Sequence, residues 1–473
     1  MSLVRRLRVS VKKNHKIVVI GGGPGGYSAA LSGALLGADV VLIENQAVGG
    51  SATLTDVVPS KTLIASAERA VFVAQGADFG IRFQNCVSAD IGHINRRIMD
   101  LTRAQSADMF STLTGAGVRV VYGHAALDGP NRVLVSVSGQ EKYEFFANTV
   151  VVATGSSPRV LPNAIPDGKR ILTWKQLYTL EQVPEHIIVV GSGVTGAEFA
   201  SAFRNLGSEV TLVSSRDRVL PGGDEDAADL IQEVFINSGM KLLNRARAQA
   251  AAACNGGVVV TLTDGTEVRG THCLMAVGSV PNTSGIGLET ANIALNPAGR
   301  ITVNRVACSS VPGVYAAGDC SDFLPLASVA EMQGQVAVYH AMGENANPIE
   351  LKNLASTVFT TPEIATVGRS EKAIDKARAT ALKVDLATNS RAKILGIKTG
   401  FVKMIVSRET GTVLGGVVVA PNASDLIFPI SVAVQNRLSA DQLSQSFAVY
   451  PSLTISLWHA ARASHVRTDS ASP

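Results

Sequence analysis

Continuous apolar runs, rather than alternating ones, set the rhythm of this chain. Lys16-Ile17-Val18-Val19-Ile20 is apolar and β-branched without interruption after its lysine, which predicts a strand buried on both faces. It runs into Gly21-Gly22-Gly23-Pro24-Gly25-Gly26, and the Ala/Leu-rich stretch from Tyr27 to about Leu36 predicts a helix. A second strand, Val40-Val41-Leu42-Ile43, ends at Glu44. The same order returns 170 residues later. Ile187-Ile188-Val189-Val190 leads into Gly191-Ser192-Gly193-Val194-Thr195-Gly196, a helix carrying Ala197-Glu198-Phe199-Ala200, and the strand Val210-Thr211-Leu212-Val213. Further buried runs stand at Thr149-Val150-Val151-Val152 and Gly313-Val314-Tyr315-Ala316. Strands of this kind belong to parallel sheets covered by helices, so the pattern predicts an α/β fold built twice over.

The glycines carry the chemistry. After a buried strand, the first glycine of GxGxxG makes the tight turn. The second lets backbone approach a pyrophosphate, and the third lets helix pack on sheet. Gly21, Gly23 and Gly26 take these places in the first unit, and Gly191, Gly193 and Gly196 in the second. The helix N-terminus that follows offers partial positive charge to phosphates. Glu44, 18 residues after Gly26, is placed to accept from a ribose hydroxyl. At the same offset after Gly196 stands Ser214, followed by Ser215 and Arg216. A carboxylate there selects an unphosphorylated adenosine ribose. Serine hydroxyls with Arg216, joined by Arg218, suit a 2′-phosphate instead. The expectation is NADPH at this second site, the alternative being an enzyme that takes either nicotinamide with Arg216 a solvated loop residue.

At 473 residues the length suits roughly three domains. The net charge of +4, from 42 basic and 38 acidic residues, does not suit a nucleic-acid partner. Arg5, Arg6, Arg8, Lys12 and Lys13 form a basic arm, read as a solvated extension without the apolar core of a signal peptide. No apolar run of about 18 residues suggests a membrane span. Cys86, Cys254, Cys273, Cys308 and Cys320 are scattered without CxxC spacing. That favours a reducing cytoplasm, no metal site, and cysteines acting as small buried hydrophobes. Cys308 with Cys320 is the alternative, a replacement redox pair.

Gly49-Gly50-Ser51-Ala52-Thr53-Leu54-Thr55-Asp56-Val57-Val58-Pro59-Ser60-Lys61 resembles the GGTCLNVGCIPSK signature of the flavoprotein disulfide reductases, the dihydrolipoamide dehydrogenase-like class. The glycines, Pro-Ser-Lys and spacing are kept, but Ala52 and Val57 replace both cysteines. Thiol–disulfide exchange needs a thiolate, and these side chains supply none. Val151-Val152-Ala153-Thr154-Gly155 resembles the family's ATG strand, and Gly313–Asp319 its second flavin motif. Leu324-Pro325-Leu326-Ala327 resembles the segment whose amides face the flavin pyrimidine edge. Gly278-Ser279-Val280-Pro281-Asn282 resembles its GRxPN turn, with Ser279 in place of arginine. Val358-Phe359-Thr360-Thr361-Pro362-Glu363-Ile364-Ala365-Thr366-Val367-Gly368 resembles the opening of its dimerisation domain.

The resemblance, from about Lys16 to Ala461, implies two Rossmann-like dinucleotide-binding domains, for FAD and NAD(P), plus a C-terminal α+β dimerisation domain. The implied boundaries are 1–156 and 277–346 for FAD, 157–276 for NAD(P) and 347–473 for the homodimer. Gly50, Thr154, Gly155, Asp319, Leu326, Ala327 and Gly278 join the cofactor-binding set. Lys61 and Glu198 match the lysine and glutamate that assist hydride transfer to flavin. The family's C-terminal HPTLSE reads here Tyr450-Pro451-Ser452-Leu453-Thr454-Ile455, so its acid–base histidine and partner glutamate are gone as well. The site no longer handles sulfur. Ala52 and Val57 leave an apolar surface that suits a flat acceptor such as a quinone. Tyr450, entering from the partner subunit, either contacts that acceptor or fills the histidine's space. An actinobacterial subset of the family lacks the cysteines and reduces quinones with NAD(P)H, and this sequence is most similar to it. The alternatives are a pyridine nucleotide transhydrogenase and a flavin-bearing protein without catalysis.

Overall fold

The computed structural model describes residues 15–82, 88–137 and 142–465. The basic N-terminal arm, Cys86 and the 467–473 tail lie outside the described residues. The contacts divide the chain into two compact units. The first takes in the described residues up to Thr62, those of Asn95–Arg159, and Val277–Ile349. The second takes in those of Leu63–Ile94, Val160–Ala276 and the chain from Glu350 onward.

The first unit is built on a five-stranded parallel sheet in the order Val314–Ala316, Thr149–Val152, Lys16–Ile20, Asp39–Glu44, Arg119–Tyr122. The uninterrupted apolar runs are explained by burial on both faces. Ile17 and Val19 pack with Ala29, Ala30, Ala337 and Val338 of the helices Pro24–Leu35 and Ala327–Met342. Val18 and Ile20 pack on the other face with Val133 and Val135 of a three-stranded antiparallel sheet. The two helices meet through small residues: a Cβ on Gly334 would lie 2.1 Å from the Gly25 carbonyl oxygen.

The second unit repeats the plan. Its parallel sheet runs Lys241–Leu243, Glu209–Val213, His186–Val190, His272–Met275, Ile171–Leu172. The C-terminal part is α+β, an antiparallel sheet of Ala355–Val358, Glu363–Gly368, Val413–Ala420, Phe401–Ser407 and Ala379–Asp385. The helices Phe428–Asn436 and Ile455–Arg462 bury Ile430, Ala433, Leu457, Ala460 and Ala461 in its core. Lys403, 2% exposed, carries its charge into this structure. Its Nζ donates to Asp224 at 3.0 Å and Glu371 at 2.7 Å, and pairs with Asp226 at 2.9 Å. Asp224 also caps the Glu225–Asn237 helix by accepting from Ala227 N. A buried ammonium is tolerable only with such partners. Among the described residues, no helix is long and apolar enough to cross a membrane.

Candidate nucleotide sites and the altered redox segment

The two glycine loops are near copies. Gly21 (φ +99°) and Gly191 (φ +112°) adopt a backbone that side chains rarely take. A Cβ on either would strike a neighbouring carbonyl, Ala153 O at 2.4 Å or Ala276 O at 2.2 Å. Cβ atoms on Gly26 and Gly196 would each lie 1.8 Å from the carbonyl of the loop's first glycine. Gly23 and Gly193, by contrast, have open space before them. That space stands at the N-termini of the helices Pro24–Leu35 and Val194–Asn205, where unpaired N–H groups and the helix dipole fit a pyrophosphate.

At the ribose end the loops part. Glu44 Oε2 accepts from Gly22 N at 2.7 Å, and Oε1 accepts from Asn45 N and Gln46 N at 2.8 and 2.9 Å. A carboxylate has about four acceptor positions, so capacity for a ribose hydroxyl remains. A Cβ on Gly22 would lie 3.0 Å from Glu44 Oε2; glycine here makes room for the acid. The second loop has Ser192 and Ser214 at these positions, their hydroxyls 2.6 Å apart. Ser214 is fully buried, and its Oγ also accepts from Arg216 N at 3.1 Å and donates to Arg216 O at 3.2 Å. Its hydroxyl is thus used up within the loop. Ser214 organises the turn rather than presenting a donor outward, which corrects the expectation that its hydroxyl would face a phosphate. Arg216 is exposed. Arg218 is drawn to Asp229 at 3.3 Å.

The remaining first-unit residues gather around two crossing turns. Thr154 Oγ1 donates to Asn282 O at 2.7 Å, and Asn282 returns Nδ2 to Thr154 O at 2.9 Å and its N–H to Gly155 O at 2.9 Å. Gly278, exposed with φ +92°, accepts from Arg159 N. Arg159 also reaches Ser279 O, at 3.2 Å. Asp319 Oδ2 accepts from Ser156 Oγ at 2.7 Å. Gln333, fully buried and absent from the sequence-based set, accepts from Gly318 N at 2.8 Å and donates to Ser321 Oγ at 3.0 Å, locking the Asp319 turn. Leu326 is the N-cap residue and Ala327 the first residue of the Ala327–Met342 helix, so their amides belong to a helix N-terminus.

The altered redox segment packs against the first loop. Gly49 N donates to Gly22 O at 2.8 Å, and a Cβ on Gly50 would lie 2.7 Å from Gly23 Cα. Ala52 lies on the helix Gly50–Leu54; Val57 opens the helix Val57–Ala74, which carries half-buried Lys61. Among the described residues Cys254, Cys273, Cys308 and Cys320 are all free. Burial pushes the Cys320 thiol up and Cys273 to about 12, so both stay protonated; it also raises Cys308, against a hydrogen bond from Tyr315. Cys308 and Cys320 form no disulfide here, and Cys254 is exposed rather than buried as expected.

In the second unit, Glu198 is 3% exposed on the Val194–Asn205 helix and accepts from Phe359 N at 2.9 Å. Ser201 and Asn205 follow on the same helix, bonding Thr361 N at 3.1 Å and Thr361 Oγ1 at 3.0 Å. Glu363 is raised above the usual carboxylate range by burial, opposed by hydrogen bonds from Ser424, with Asp425 and Glu198 adding repulsion. Tyr450 is 72% exposed, and Ile455 begins the last helix, half-buried. A depression of about 390 Å³ at Glu185, His186, Glu209 and Arg269 lies at the opposite end of the parallel strands, away from where dinucleotides bind.

Two dinucleotide-binding folds in one chain define a nucleotide-dependent oxidoreductase. The model of the pyridine nucleotide-disulphide oxidoreductases matches residues 15–334, and that of their dimerisation domain matches residues 354–461. The chain belongs to this family of oxidoreductases. It is 48% identical to a Mycobacterium tuberculosis protein called NAD(P)H dehydrogenase (quinone), over 94% of this chain and 93% of that one. It is 31% identical to the dihydrolipoyl dehydrogenase of Geobacillus stearothermophilus, over 92% and 93%. Among solved structures, LpdA from Mycobacterium tuberculosis superposes with a TM-score of 0.92 at 47% identity, covering 95% of this chain and 99% of that one. The Escherichia coli flavoprotein disulfide reductase RclA shares the fold, with a TM-score of 0.83 at 24% identity over 94% and 98%.

Proposed function

We propose that the protein is an FAD-dependent NAD(P)H:quinone oxidoreductase that favours NADPH and uses no redox-active disulfide. The observation that carries this reading is the joint replacement of four sulfur-handling residues, by Ala52, Val57, Tyr450 and Ile455, in a chain that keeps both glycine loops. The identity to a relative named for quinone reduction supports it. The overall reaction is balanced as NAD(P)H, a proton and a quinone giving NAD(P)⁺ and the quinol.

FAD, when bound, supplies a centre that takes up a hydride and gives back two electrons. Gly21, Gly23 and Gly26 place a helix N-terminus at its pyrophosphate, and Glu44 accepts from its ribose. Asp319, with the turn around Thr154 and Gly155, would hold the ribityl–phosphate part, and the Leu326 and Ala327 amides would serve the ring. Lys61 would supply an ammonium to offset negative charge on the ring, and Glu198 would be the assisting carboxylate. Ala52 and Val57 offer the acceptor an apolar surface. Residues 1–156 and 277–346 serve the flavin, 157–276 the nicotinamide, and 347–473 the pairing of two copies, across which Tyr450 enters.

Acceptor competition tests the reading. The holoenzyme is reduced anaerobically with NADPH, and acceptors are added singly. Fast reoxidation by benzoquinone or naphthoquinone, with none by lipoamide or glutathione disulfide, is expected. Reoxidation by NAD⁺ analogues but not by quinones would make it a transhydrogenase. A flavin that neither nicotinamide reduces would end the enzymatic reading.

A further inference from the structure

The loop that follows Ser214 is zipped to a second turn, Asn244 to Ala246, that no motif contains. Ser214 N donates to Leu243 O at 2.9 Å, Ala246 N to Ser214 O at 2.8 Å, and Arg245 N to Arg216 O at 2.7 Å. The last bond fixes the two arginine backbones side by side. Both residues are exposed, and neither makes an ion pair among the described residues. Arg218, the other cation of the loop, is already committed to Asp229. Asp217 is the one acid in the same turn.

The backbone of Arg245 adds a second, independent observation. It lies at φ +57°, a left-handed conformation that glycine and asparagine adopt far more cheaply than arginine. Strain of this kind persists where the surrounding structure holds it, and it clusters at ligand sites. Since the Ser214 hydroxyl is consumed by Ser192 and Arg216, the donors for a phosphate at this ribose must come from the rim. Two unpaired guanidiniums held together match a dianion with bidentate hydrogen bonds.

We infer that Arg245 is a specificity-determining residue, which with Arg216 clamps the 2′-phosphate of NADPH. The inference rests on the NADPH reading above and extends it to a residue outside the glycine-loop fingerprint. Arg245 touches the nucleotide's adenosine end and takes no part in hydride transfer.

The test is equilibrium binding to the holoenzyme, by calorimetry, of 2′,5′-ADP and 5′-AMP, which differ only by the 2′-phosphate. The wild type should favour 2′,5′-ADP, less so as salt rises. Arg245→Asn should weaken 2′,5′-ADP by about tenfold or more and leave 5′-AMP unchanged. Because asparagine suits the left-handed backbone, thermal stability should hold or rise. Arg245→Lys should fall between. If Arg245→Asn keeps the wild-type preference while Arg216→Gln abolishes it, the inference about Arg245 fails and the NADPH reading stands. A wild type that binds both probes alike overturns both.

Discussion

The segments Lys16–Glu44 and His186–Ser214 share a strand register, a 12-residue helix and the same three glycines, two of them sterically required, yet they end in opposite chemistry. In the first, Gly22 stands aside so that a buried carboxylate can fill the corner. In the second, Ser192 occupies that corner and Ser214 closes over it. The two positions change together because they share one small volume: glycine with glutamate, or serine with serine. The lesson is that the chemistry at this corner is a packing property of a residue pair before it is a matter of charge. Arg216 and Arg245 then supply charge at a rim where Asp217 is the one acid in the turn.

The comparison is broken most forcefully at the third glycines. Gly26→Ala should give a protein without flavin, seen as loss of visible absorbance. Gly196→Ala should keep the flavin but lose its reduction by NADPH, because each Cβ meets a carbonyl at 1.8 Å. Loss of flavin in both variants would mean that the two loops are not independent. Next in size, Lys403→Met strands the buried Asp224 beneath the second unit's sheet and should cost about 3 kcal/mol in denaturant unfolding, with flavin absorbance per folded molecule unchanged.

Smaller and sharper is the exchange of the corner itself. Ser192→Gly with Ser214→Glu should recreate the Gly22–Glu44 arrangement and move the NADPH-to-NADH ratio of kcat/KM toward NADH on the order of tenfold. Ser214→Glu alone should destabilise the fold, since Ser192 still fills the corner. The smallest effect is on pH dependence. The Lys403 ammonium holds the Asp226 carboxyl below the usual range, against burial, with Lys383 assisting. A depressed carboxylate contributes stability above its unfolded value of about 4, and that contribution is lost as pH falls through the folded value. Thermal melts from pH 6 down should therefore drop more steeply in the wild type than in Asp226→Asn; equal slopes would assign the acid sensitivity elsewhere.

Much of this was legible in the sequence, and the legible part has a physical character. Uninterrupted β-branched runs have few uses besides doubly covered strands, and glycines needed for close approach keep fixed offsets, so the central strands of both sheets and both loops could be read directly, while shorter strands such as Arg119–Tyr122, Lys241–Leu243 and Ile171–Leu172 escaped. What escaped were contacts between distant segments. Gln333 locks the Gly318 turn from 15 residues further on, in the next helix, and Phe359 and Thr361 bind Glu198, Ser201 and Asn205 from more than 150 residues away. Arg245 meets Arg216 only because two strand ends are neighbours in the sheet. Ser214 was read for its hydroxyl, but burial decides where a hydroxyl points, and one sequence does not reveal burial at a loop. The helix boundaries moved little, from Tyr27 to Pro24 at the first loop, because proline is welcome in a first helical turn.

The central claim, that electrons pass through this protein without a thiol pair, is tested most directly by anaerobic titration with NADPH. Absent a disulfide, one equivalent of NADPH per flavin should complete the reduction, with no long-wavelength thiolate–flavin absorbance along the way. Uptake of a second equivalent with growth of that band would show that a cysteine pair still works in this chain, and would contradict the account.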